Sequence, residues 1–174
     1  MKRKVIIAVV VVAVVAAVVG IYYAQKASRQ PTVIEGVYLH PAMLQVHRGQ
    51  EVSLNIKVNL SGRGVSGGEI NLSFNPSVLR VTDVELGDFL GSSPVTGLKQ
   101  LDNEAGVVRL ALARVGTTPV PSPAGVLATV HFTVLDSAAS GIYDLELTKV
   151  GLADENFQDI TGFTVQGATI KITP

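Results

Sequence analysis

The feature that most constrains this chain is a strict two-residue alternation. Residues 51–60 read EVSLNIKVNL, with Val52, Leu54, Ile56, Val58 and Leu60 on one phase and Ser53, Asn55, Lys57 and Asn59 on the other. Successive strand side chains point to opposite faces, so this segment buries a single apolar face only as a strand. A helix would scatter the same residues around its circumference. The pattern returns at 68–74 (GEINLSF), with Ile70, Leu72 and Phe74 inward and Glu69, Asn71 and Ser73 outward. Asn75-Pro76-Ser77 then turns the chain into another strand at 78–86. Further strands are predicted at 106–115, 125–135, 141–150 and 163–173, and two early ones, near 36–40 and 42–47, flank Pro41. After Val33 no window carries helical period. Nine short strands without intervening helices predict an all-β, antiparallel sandwich rather than βαβ units. The chain has no Trp and no Cys, so an immunoglobulin-type core is excluded and a jelly roll is the expected architecture.

The N-terminus obeys a different rule. Val5 to Tyr23 is an apolar run without a charge across 19 residues. As a helix it would span about 28 Å, close to the hydrocarbon thickness of a bilayer. Lys2, Arg3 and Lys4 precede it, Lys26 and Arg29 follow it, and Tyr22 and Tyr23 sit where an interfacial aromatic belt belongs. The run is longer than a usual signal-peptide core, and no small-x-small cleavage site follows it. An uncleaved signal anchor is therefore favoured over a cleaved signal, and both readings export the rest of the chain. The expected organisation is a cytoplasmic basic tail (1–4), a transmembrane helix (5–23), a stalk (24–32) and a β-sandwich domain (33–174), anchored by a single pass with its C-terminal domain at the cell surface.

Charge narrows the function. The chain is formally neutral, but five of its 14 bases lie before residue 31 and all 14 acids lie after it. The exported part thus carries a net charge of −5, the wrong sign for a nucleic-acid binder. The chemical motifs are weak. Gly64-Val65-Ser66-Gly67-Gly68 matches a nucleophile elbow, but a strand leaves it where a helix is required. His40, His47 and His131 have no spacing that pre-arranges metal ligands. Asp154, Glu155, Asn156, Gln158 and Asp159 gather oxygens in one loop without the glycine turn of a calcium loop. Glu69 and Glu146 both lie on outward phases, with nothing in the pattern to place them across a cleft. No cofactor and no catalytic activity are expected. Asn59-Leu60-Ser61 and Asn71-Leu72-Ser73 are formal glycosylation sequons.

Three stretches, in order, resemble a cohesin domain. The first is EINLSFNPSVLRVTDVELGDFL at 69–90, a strand running into an Asx-Pro-x-Val-Leu turn and then a Gly-Asp-hydrophobic step. The second is GVLATVHFTV at 125–134, and the third GLADENFQDI at 151–160. The resemblance covers about 33–173 and extends to the family 2 and 3 carbohydrate-binding modules of the same jelly-roll group. It implies a nine-stranded jelly roll that binds a dockerin-containing protein through one flat sheet face, with any calcium on the dockerin and not on this chain. The implied contacts are Glu69, Asn71 and Ser73 on one strand, Arg109 and Ala111 on a second, and Leu127, Thr129 and His131 on a third. Asp154 and Phe157 would border them from the loop at 152–157. Leu127 would be an aliphatic anchor, and the reading requires Glu69, Arg109, Leu127 and Thr129 to share one exposed face. Many cohesins carry an Asn and an Asp two residues apart on the Glu69 strand; here those positions are Gly67 and Glu69. A single such domain behind an anchor looks like a cell-surface receptor, touching polysaccharide only indirectly. The alternatives are a carbohydrate-binding module, which requires a strip of exposed aromatics or a calcium-lined groove, and a structural envelope protein that associates through an edge strand.

Overall fold

The computed structural model describes residues 35–116 and 124–174. The basic tail, membrane helix and stalk expected at 1–32 lie outside the described residues, as does most of the proline-rich loop after residue 116. Among the described residues no helix is long and apolar enough to cross a membrane.

Eleven strands form: β1 (Gly36–His40), β2 (Met43–His47), β3 (Glu51–Asn59), β4 (Gly67–Ser73), β5 (Leu79–Leu86), β6 (Val95–Asp102), β7 (Val107–Ala113), β8 (Ala124–Val134), β9 (Gly141–Ala153), β10 (Thr164–Gln166) and β11 (Ala168–Thr173). They make a five-stranded sheet, β10-β1-β3-β8-β5, and a six-stranded sheet, β2-β11-β9-β4-β7-β6. Only β6 and β7 follow one another within a sheet; every other connection crosses between the two. The alternating phases do what they predict. Val52, Leu54, Ile56, Val58 and Leu60 from one sheet, and Ile70, Leu72, Val108 and Leu110 from the other, meet in a buried core. Each such side chain contributes about 1.5–3 kcal/mol of hydrophobic stabilisation. Phe74 and Phe132 meet edge-on across the core, ring centroids 5.3 Å apart.

The expected nine strands become eleven for two reasons. β6 is an edge strand exposed along most of its length, so its residues show no buried phase to read. The segment at 163–173 is two strands in different sheets, broken at Gly167. A Cβ at Gly167 would collide with the Leu145 carbonyl oxygen, so only glycine passes there. The sandwich is also not purely antiparallel: β1 pairs with β10, and β2 with β11, in parallel.

Candidate functional site

The residues expected to form one binding face divide between the two sheets. Glu69, Asn71 and Ser73 on β4 and Arg109 and Ala111 on β7 share the outward face of the six-stranded sheet. Thr129 and His131 on β8 lie on the outward side of the opposite sheet. Leu127 lies on neither face. It is 4% exposed and belongs to the core. The cause is a β-bulge: Ile56 pairs with Ala128 and Lys57 with Val126, so Leu127 is the extra residue and the alternation of β8 changes phase there. Val126, its neighbour, is only half-buried. The shared face of Glu69, Arg109, Leu127 and Thr129 therefore does not exist. What fails is the assignment of β8 to that sheet, which the period of a strand does not encode.

The face that does form can be written as rows across β6, β7, β4 and β9. One row is Val95, Ala113, Gly67, Ala153, and the next is Leu98, Ala111, Glu69, Gly151. A third is Gln100, Arg109, Asn71, Lys149, and the last is Asp102, Val107, Ser73, Glu146. The first two rows are poor in side chains, a flat floor edged by exposed Val95 and Leu98. The third is polar. Arg109 reaches Gln100 Oε1 at 3.3 Å and Asp102 at 3.9 Å. Lys149 pairs with Glu69 at 2.7 Å, both side chains about half exposed (54% and 42%). Such a pair stabilises the fold little, but it fixes which way the Glu69 carboxylate points. The amide oxygen of Asn71 is buried and has no hydrogen-bond partner, a state that costs about 1–3 kcal/mol in a folded protein.

Lys149, Leu98 and Gln100 escaped the sequence reading. Two-residue alternation from Leu145 and Leu147 would turn Lys149 inward. A bulge at Thr148 turns it out, since Leu72 pairs with Leu147 but Asn71 with Lys149. Leu98 and Gln100 lie on β6, the strand without a buried phase.

At the end of β9, the loop expected to border the site does continue from this sheet. The Asp154 carboxylate accepts hydrogen bonds from the Asn156 and Gln158 backbone N–H groups (2.8 and 2.9 Å). It therefore organises the loop, whose other side lines an open groove of about 580 Å³ with Arg63 and Asp159. The turn leaves Phe157 84% exposed in the left-handed region (φ 60°), where a non-glycine residue is strained. Among the described residues, Phe157 is the sole aromatic in the exposed large hydrophobic set, so they hold no sugar-stacking strip. Glu69 and Glu146 are separated by four residues along the ladder. That is about 13 Å, beyond either glycosidase spacing. Ser66 enters β4 from a loop, its N–H bonded to the Ala153 carbonyl, without the strand-to-helix turn of a nucleophile elbow.

The outward side of the five-stranded sheet is tied by side-chain bonds of its own, though His131 Nε2 is buried there without a hydrogen bond, 3.7 Å from Glu85 Oε2. Thr129 Oγ1 donates to Asn55 Oδ1 at 2.9 Å, Ser53 Oγ and His131 Nδ1 share a bond of 2.8 Å, and Thr82 Oγ1 donates to the His131 carbonyl at 3.2 Å.

The family model of the cohesin domain matches residues 43–172. No curated protein matches the chain. Among solved structures, a type II cohesin domain from the cellulosome of Acetivibrio cellulolyticus is similar at 21% identity and a TM-score of 0.67, over 79% of this chain and 95% of that one. A non-cellulosomal cohesin from the archaeon Archaeoglobus fulgidus is similar at 18% identity and a TM-score of 0.65, over 82% and 93%. The third cohesin of ScaC from A. cellulolyticus, solved in complex with the ScaB dockerin, is similar at 19% identity and a TM-score of 0.67, over 80% and 99%.

Proposed function

Since this chain belongs to the cohesin domain family, we propose that it is a non-catalytic adhesion module that captures a dockerin-bearing protein and holds it at the cell surface. The observation that carries the reading is the outward face of β9-β4-β7-β6. It gathers Glu69, Asn71, Ser73, Arg109 and Ala111, five of the residues that the resemblance implied, around a flat floor beside the Phe157 loop. A flat floor with aliphatic edges and oriented polar groups suits a preformed protein interface, where a small apolar centre excludes water and hydrogen bonds set register. Thr129 and His131 belong to the other sheet and have no part in it. Calcium resides on the dockerin. The net charge of −5 on the exported part favours a partner with a basic patch, through faster encounter rather than tighter binding. Membrane attachment rests on the uncharged run at 5–23 and its flanking bases, and any link to polysaccharide runs through the partner.

The test uses the full-length chain in detergent as bait for a yeast-displayed library of dockerin modules, with calcium and with EDTA. Calcium-dependent enrichment of dockerins is the expected result. Retention on insoluble polysaccharide with no dockerin enriched would overturn the reading in favour of a carbohydrate-binding module.

A further inference from the structure

We infer that Lys149 is a specificity-determining residue of this face: by holding the Glu69 carboxylate itself, it admits dockerins that bring an uncharged donor to that carboxylate and turns away dockerins that bring a lysine or arginine. The inference rests on the reading of this face as the dockerin site and deepens it. Glu69 stands in the interior of the face, on β4 between β7 and β9. Its direct cross-strand neighbours are Ala111 and Gly151, neither of which has a polar side chain to meet a carboxylate. Lys149 comes from the next row, diagonal to Glu69, which is within the range of a long side chain. It faces outward only because of the bulge at Thr148. Bulges re-aim side chains in this way and are retained features of a fold rather than defects. The ammonium lies 2.7 Å from Glu69 Oε2, and both side chains are about half exposed, so a docking partner meets the pair directly.

The charges decide what can join it. In the free domain water screens the pair, which therefore adds little to stability. A docked partner removes that water. A carboxylate enclosed alone would then require a cation, and Lys149 already supplies one. A carboxylate accepts about four hydrogen bonds, so a partner hydroxyl or carboxamide can add to the bonding of Glu69 without adding charge. A partner Lys or Arg at the same point would set two cations on one carboxylate. Arg109 stands in the row of Lys149, across Asn71, its own charge offset only by Asp102 at 3.9 Å. Like charges brought together at a desolvated contact are disfavoured. Steering by the net charge acts through the field of the whole domain, whereas this filter acts at one contact.

The experiment repeats the selection from the displayed dockerin library on wild type, on Lys149→Met and on the double variant Glu69→Gln/Lys149→Met, each as the full-length chain in detergent. Lys149→Met keeps an unbranched side chain and removes the charge. Its thermal midpoint without partner is expected to match wild type. A dockerin selected on wild type is expected to bind it about tenfold more weakly, and to regain most of that loss on the double variant, where no carboxylate is left bare. Dockerins newly enriched on Lys149→Met are expected to carry a Lys or Arg whose replacement by Ser removes the gain. If the same dockerins bind Lys149→Met with unchanged affinity, or if the double variant regains nothing, the proposal falls while the dockerin reading stands. A lowered midpoint with an unchanged set of dockerins would assign Lys149 to the fold alone and overturn it equally. A wild-type selection that yields no dockerin overturns the reading of the face, and this inference with it.

Discussion

The two outward faces of the sandwich come from the same kind of sequence and end in opposite states. Both are the polar phase of alternating strands. On β3, β8 and β5 the polar groups find one another, so Asn55 meets Thr129 and Ser53 meets His131. On β9, β4, β7 and β6 the side chains thin out to glycine and alanine in two rows, and the Asn71 amide oxygen is left without a partner. Polar alternation therefore marks a solvent side but not a use for it. Each face keeps one buried polar atom without a hydrogen bond, Asn71 Oδ1 on one and His131 Nε2 on the other, so it is the flat floor of small residues that distinguishes the face suited to a protein partner.

The largest test of this division is Leu127→Asp. Had Leu127 stood at the centre of a binding face, the change would have abolished capture and spared the fold. It is 4% exposed in the bulge of β8. Truncating a core leucine costs about 2–5 kcal/mol, and an unpaired carboxylate adds its own desolvation. The expected loss exceeds about 4 kcal/mol, a large part of a domain's whole stability. Calorimetry or circular dichroism should show a midpoint lower by about 10 °C or more. A variant that melts like wild type yet no longer binds would restore Leu127 to the surface.

A sharper comparison makes one substitution on both faces. Asn55→Leu removes the acceptor of the Thr129 hydroxyl and is expected to cost about 1 kcal/mol, lowering the midpoint by about 3 °C and leaving dockerin capture unchanged. Asn71→Leu, between Arg109 and Lys149 in the interior of the other face, is expected to do the reverse, since it changes the surface a partner would meet. If both variants lose stability and neither loses affinity, the faces do not differ in the way described.

The alternation legible at 51–60 and 68–74 assigned fifteen side chains and placed fourteen on their correct sides; the exception is Asn59, which is buried at 8% exposure near the end of β3. Three things lay beyond that pattern. Which sheet a strand joins depends on hydrogen-bond partners distant in sequence, which is why β8 was set beside β4 and β7. Bulges shift phase without a marker of their own, although the unbroken apolar run Val126-Leu127-Ala128 shows where alternation stops. The role of Asn103 is the third. In the structure its side-chain amide accepts from the Val81 N–H (2.8 Å) and donates to the Val81 carbonyl (3.0 Å), covering the edge of β5 where its ladder skips Thr82. Part of the site was legible because β4 and β7 are neighbours and carry regular alternation. Lys149 and the β6 residues were not, because a bulge hides the first and full exposure the others.

The smallest expected effect lies where the edges of the two sheets meet. Asp83 of β5 and Lys99 of β6 form an ion pair at 3.1 Å, from one sheet to the other. The same carboxylate oxygen accepts the Val84 backbone N–H at 2.7 Å. These contacts, the backbone bond first and the ammonium second, hold the Asp83 carboxyl below its ordinary value of 3.8. A carboxylate whose folded pKa is depressed stabilises the fold above its unfolded pKa, and that contribution is lost as pH falls through the folded one. Asp83→Asn keeps an oxygen for Val84 but removes the charge. Wild type should thus be slightly more stable than Asp83→Asn at pH 6, and the gap should close as the pH drops below about 4. Added salt should narrow the part owed to Lys99, since both side chains are solvent-exposed. A gap of constant size from pH 6 to pH 3, read from parallel denaturant titrations, would mean that the two edges are joined by Asn103 and packing alone, with no contribution from the ion pair.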